Sequence, residues 1–172
     1  MDHERCEACG FDGGRLADQD LLDGLHDLGP SWAALTAGAG DRLRVRPAPQ
    51  TWSALEYAAH SRDITALHVW AVEQALSGGE PVLPDVDGDD LVEAAVSGYA
   101  DADPTEVLDA LEGHADRLAD VARRAGTAAW VRGITFGESR SDVRRLLEHA
   151  LHDSRPHLDD VGRGLATLRS GG

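Results

Sequence analysis

The final stretch of the chain constrains the fold most. Val143, Leu147, Ala150, Leu151, Leu158, Val161, Leu165 and Leu168 recur at three-to-four spacing. That is the period of an α-helix with one apolar stripe, and such a stripe has to be buried against another element. Three further segments have the same character. Leu21, Leu22, Leu25, Leu28, Trp32 and Leu35 mark a first helix, with Gly29-Pro30 as a candidate kink or break. A second helix is expected from Thr51 as N-cap to just before Gly78-Gly79. A third starts with Asp103 as cap, Pro104 at the first helical position and Glu106 in the first turn, and stops near Ala125 at Gly126. The last is expected from Ser139 or Ser141. Residues 37–50 and 81–103 read as connections, the second long and acidic, with a short helix near 90–96. The stretch 128–138, with Trp130, Val131, Ile134 and Phe136, reads as a short hairpin or an extended cap. The pattern predicts an all-α four-helix bundle with a long crossover connection.

The chain has 172 residues, 42% of them hydrophobic, which is one domain with a real core. We expect residues 1–15 to form a polar, Gly-rich tail and residues 16–172 the bundle. Cys6 and Cys9 are the two cysteines, too close together for a fold-wide disulfide framework. All 16 basic residues are Arg, and the formal net charge is −15. That excess of negative charge argues against nucleic acid and anionic membranes as partners. No apolar run approaches the roughly 20 residues of a bilayer span, and the N-terminus lacks a signal-peptide core. A soluble, cytoplasmic protein is the expectation.

Eight His residues make the inward-facing ones worth locating. With Ser154 at the centre of the last helix's apolar stripe, His157 falls about 60° away and Asp153 about 100° away on the same flank. His149 falls about 140° out, and His152, about 160° out, belongs to the wet face. Asp153 and His157, one turn apart, can share a divalent cation, given a third ligand from another helix. His60 lies with Ile64, Leu67, Ala71 and Ala75 on the buried face of the second helix and is the best third ligand. Glu56, one turn earlier, is a candidate acceptor for its ring N–H; His68, two turns on, is less well aligned. An ordinary helix ion pair and a satisfied core histidine are the bland alternatives. Pro156, inside the last helix, costs roughly 3 kcal/mol in an ordinary helix. It either kinks the helix and aims His157 into the site, or marks a site that has decayed.

Two stretches resemble the DinB-like superfamily, which includes mycothiol-dependent maleylpyruvate isomerases and thiol S-transferases. Trp52-Ser53-Ala54-Leu55-Glu56-Tyr57-Ala58-Ala59-His60 is similar to the family's W-[ST]-x-x-E-x-x-x-H stretch. Asp153-Ser154-Arg155-Pro156-His157 resembles its late-helix ligand pair, with Asp where His or Glu is common. The resemblance implies a divalent metal, zinc or nickel, held by His60, Asp153 and His157. It implies a metal-dependent transferase or isomerase using a low-molecular-weight thiol, mycothiol-type, with a small-molecule electrophile as second partner. The alternative is a non-catalytic metal- or small-ligand-binding stress-related protein on the same bundle. A third class, a dimeric interaction module, keeps a homodimer among the expected assemblies. Arg62, Arg140, Arg144 and Arg145 can meet an anionic co-substrate or simply form a solvated face.

His3-x-x-Cys6-x-x-Cys9-Gly10 looks like half of a zinc knuckle, and no second Cys pair exists to complete it. His3 with a distant His such as His26, or a second subunit, are candidate completions. A redox pair and a loosely packed tail are the alternatives.

Overall fold

A computed structural model describes residues 3–83 and 98–170. The expected helix near 90–96 lies outside the described residues. The first bundle rod is two helices in series, α1 (Asp18–His26) and α2 (Leu28–Thr36). They meet at Asp27, whose backbone stays near-helical (φ −74°, ψ −8°). The discontinuity therefore precedes Gly29-Pro30, and Pro30 sits in the first turn of α2, where a missing N–H costs little. Gly29 is there for proximity: a Cβ on it would lie 2.6 Å from Glu112 Cγ and 3.0 Å from Glu112 Cα, on the facing helix.

The second rod, α3, spans Ala54–Leu76. Its cap is Ser53 rather than Thr51, because Ser53 and Glu56 form a reciprocal capping box. The third, α4 (Pro104–Ala125), starts and stops where the sequence predicts: Asp103 accepts from the N–H groups of Thr105 and Glu106, and Gly126 ends it at φ 74°. The fourth, α5, is Val143–Ser170 and runs through Pro156. It begins later than expected because residues 139–142 are strand, with Asp142 Oδ1 accepting from Arg145 N–H at 2.9 Å.

α3 packs along α4 and α5, and the first rod packs on α4 and α5. Val107, Leu111, Ala115, Leu118, Ala119 and Ala122 supply the buried stripe of α4, and Ala58, Ala59, Ala71 and Ala75 let α3 approach closely. Burial of each large apolar side chain contributes about 1.5–3 kcal/mol. Small strands close the ends. β1 (Arg5–Cys6) pairs antiparallel with β2 (Phe11–Asp12). β3 (Val82–Leu83) pairs parallel with β4 (Gly133–Phe136), which forms the expected hairpin with β5 (Ser139–Asp142). Residues 3–16 are no loose tail: Phe11 is in the core, and Gly13 lies against the carboxylate of Glu148 on α5. Among the described residues, no helix is long and apolar enough to cross a membrane.

Candidate metal centre

α3 and α5 bring His60, Asp153 and His157 together. One donor atom from each, a ring nitrogen or a carboxylate oxygen, lies within 4.8 Å of the others. The His60 and His157 rings stand perpendicular (87°), with centroids 5.2 Å apart. His157 Nε2 is 3.8 Å from Asp153 Oδ1, too long for a hydrogen bond. The contact is within ion-pair range but makes no hydrogen bond between the two groups. Trp52 walls His60 (centroids 5.4 Å), and Tyr57 walls His157 at the same distance. The Tyr57 hydroxyl is directed away, donating to Asp160 at 3.3 Å. Burial, and then the charge of His157, hold His60 below the ordinary imidazole pKa.

The decisive feature is His157. Both of its ring nitrogens are shielded from solvent and lack a hydrogen-bond partner among the described residues. A neutral imidazole carries one donor and one acceptor, and leaving such a group unmatched in the interior costs about 1–3 kcal/mol. His157 is therefore not a satisfied core histidine. Two imidazoles and a carboxylate are a donor set that suits a zinc-class cation, so the residues present fit the expected ion.

Several surrounding expectations change. Glu56 is not the acceptor for His60. It is buried, and its carboxylate takes two bonds from Arg46 Nε (3.1 and 2.9 Å) and one from Ser53 N–H (2.8 Å). Burial alone would raise its pKa, but Arg46 and Ser53 hold it lowered. His68 is fully buried beside His149 rather than at the centre, and burial pushes its pKa to about 3. Arg144 is no solvated residue: 8% exposed, it pairs with Glu148 and Asp18. Arg145 pairs with Glu4 and Arg62 with Asp63. His152 is not on a wet face, because the N-terminal segment covers that side of α5 and Glu4 bonds its Nδ1 at 3.0 Å. His26 pairs with Asp116, and the histidine grouped with the two cysteines is His152. Sequence reasoning missed Asp160 as the partner of Tyr57; a polar residue one turn beyond His157 was the available signal.

Arg140 lines two open clefts, of about 460 and 730 Å³. Neither is lined by His60, Asp153 or His157.

Fold and centre together define an all-α, four-helix bundle with a His₂Asp cluster between its second and last rods. The chain belongs to the DinB superfamily, whose family model matches residues 26–161 and so includes all three residues of the cluster. Among solved structures it is similar to YfiT from Bacillus subtilis, with a TM-score of 0.76 at 15% identity, covering 90% of this chain and 87% of that one. That protein is described as a probable metal-dependent hydrolase with an unusual four-helix bundle topology. No protein of curated function matches the sequence.

Proposed function

We propose that the chain is a metal-dependent enzyme in which His60, Asp153 and His157 hold a divalent cation, zinc or nickel. Its reaction is transfer to, or isomerisation by, a low-molecular-weight thiol of the mycothiol type. The observation that carries the reading is the pair of unpartnered nitrogens on His157, beside His60 and Asp153. The two family-like motifs point the same way, and the description of YfiT as a probable metal-dependent hydrolase supports the metal dependence alone.

A bound zinc-class cation supplies Lewis acidity and lowers the pKa of a coordinated thiol or water towards neutrality. The protein's own groups set the conditions for that. Asp153 is the single anionic donor, so the set does not neutralise a dication and an anionic partner is favoured. The Trp52 and Tyr57 rings exclude water from one side of each imidazole. The Tyr57 hydroxyl, bound to Asp160, positions that ring.

The test has two stages. In a Cys6→Ser/Cys9→Ser background, the protein is expected to carry about one zinc or nickel ion per chain, and adding His60→Ala or His157→Ala is expected to lose it. A background protein that binds neither metal ends the proposal. Electrophile turnover is then assayed with mycothiol, with bacillithiol and without thiol. Thiol-dependent turnover supports the transferase or isomerase. Turnover by water alone makes the protein a hydrolase, as YfiT is described. Bound metal with no turnover makes it a binding protein.

A further inference from the structure

We propose a second cation site, built by Cys6 and Cys9 of the β1–β2 turn and His152 of α5, that takes a thiophilic divalent ion of the zinc class. One donor atom from each of the three residues lies within 4.8 Å of the others. Cys9 Sγ is 3.4 Å from His152 Nε2, across 143 positions of sequence. Both cysteines are free thiols.

Three independent features shape this cluster for a cation. First, the turn is wound as a knuckle: Gly10 N–H closes on Cys6 C=O at 2.9 Å, and Gly10 takes φ 74°, which favours glycine. The N–H groups of Cys9 and Ala8 face the Cys6 sulfur, an arrangement that stabilises a thiolate. Second, His152 is oriented from behind. Its Nδ1 lies 3.0 Å from Glu4 Oε1, so in the neutral ring that bonds this carboxylate the lone pair is on Nε2, which faces Cys9. A carboxylate behind a ligating imidazole is how metal-binding histidines are held. Third, Glu4 is itself fixed, accepting from Arg145 Nε at 2.7 Å. On binding, the two thiols release their protons to solvent and His152 ligates as the neutral ring.

The ion would pin the N-terminal segment to α5 at the residue next to Asp153. The three donors share no residue with the His60, Asp153 and His157 group, so the two donor sets are distinct.

Cobalt(II) titration of the reduced, full-length protein tests it, because sulfur ligation gives a near-ultraviolet charge-transfer band that imidazole and carboxylate do not. Wild type is expected to show the band. Cys9→Ser is expected to weaken it, the Cys6→Ser/Cys9→Ser double variant to lose it, and His157→Ala to keep it. Glu4→Gln is expected to weaken cobalt binding at this site about 10–100-fold. A saturated wild type without the band overturns the proposal whether or not any variant folds. So does a band that survives in the Cys6→Ser/Cys9→Ser double variant. Neither outcome touches the His60 centre, whose ion contributes nothing to that band.

Discussion

On the side of α5 that faces the N-terminal segment, Glu148 is fully buried, yet its carboxylate is surrounded by donors. Oε1 accepts from Arg144 Nε at 2.6 Å and lies 2.8 Å from His3 Nδ1, and Oε2 accepts from Glu4 N–H at 2.8 Å. Arg144 in turn reaches Asp18 and the carbonyl of Leu16. On the other side, about two turns further along, His157 has no partner on either nitrogen. Both clusters place ionisable groups in the interior, where desolvation is costly. The first offsets that cost within the protein and acts as a clamp. The second does not, and the proposed metal centre rests on that unmet demand together with the neighbouring His60 and Asp153.

The largest expected effect breaks the clamp. Glu148→Ala leaves Arg144 without its main buried partner and should cost about 3–5 kcal/mol in denaturant unfolding. Metal content at the His60 centre should be unchanged in whatever fraction remains folded. A cost below about 1 kcal/mol would remove the contrast between the two clusters.

The next concerns His68, buried and held neutral with a pKa of about 3. The unfolded chain takes up this proton near pH 6.5, whereas the folded protein takes it up only near pH 3. The unfolded state thus binds more protons throughout that window, so stability is intact above it and falls as pH drops through it. The slope is at most about 1.4 kcal/mol per pH unit. His68→Leu should flatten this dependence. An unchanged slope in urea unfolding between pH 4 and 6 (roughly the middle of the window) would show that other groups cause the acid loss.

The same contrast explains what was legible beforehand. Helix existence, the Asp103–Pro104 start, the Gly126 stop and the burial of Ser154 all follow from local chemistry and a single period. His60, Asp153 and His157 were legible because two helical phases and two short motifs agree on them. His152 was misplaced by the same phase argument. A helical wheel describes one helix, and it cannot show that residues 3–16 fold back over the face it calls wet. Glu56 was misassigned because its spacing to His60 is right, whereas its carboxylate is claimed by Arg46 and Ser53. The start of α5 was set too early because Ser139 and Ser141 look like caps but pair in β5 with Phe136 and Ile134.

A smaller effect separates ring from hydroxyl at the centre. Tyr57→Phe removes the bond to Asp160 and keeps the ring against His157. It should cost about 0.5–1.5 kcal/mol or less and leave metal affinity within about threefold, under ~1 kcal/mol. A large loss of metal would give the hydroxyl a role that its geometry does not suggest. Smaller still is His157→Phe in the metal-free protein. Replacing unmatched nitrogens with an apolar ring should be neutral or mildly stabilising, as read by its melting temperature. A marked loss of stability would mean that His157 is satisfied after all.

The most direct test is an anomalous difference map from crystals grown with zinc. A peak bounded by ring nitrogens of His60 and His157 and a carboxylate oxygen of Asp153 is the predicted result. A map with no peak there, and with the nitrogens of His157 bonded instead to water or protein, would contradict the account.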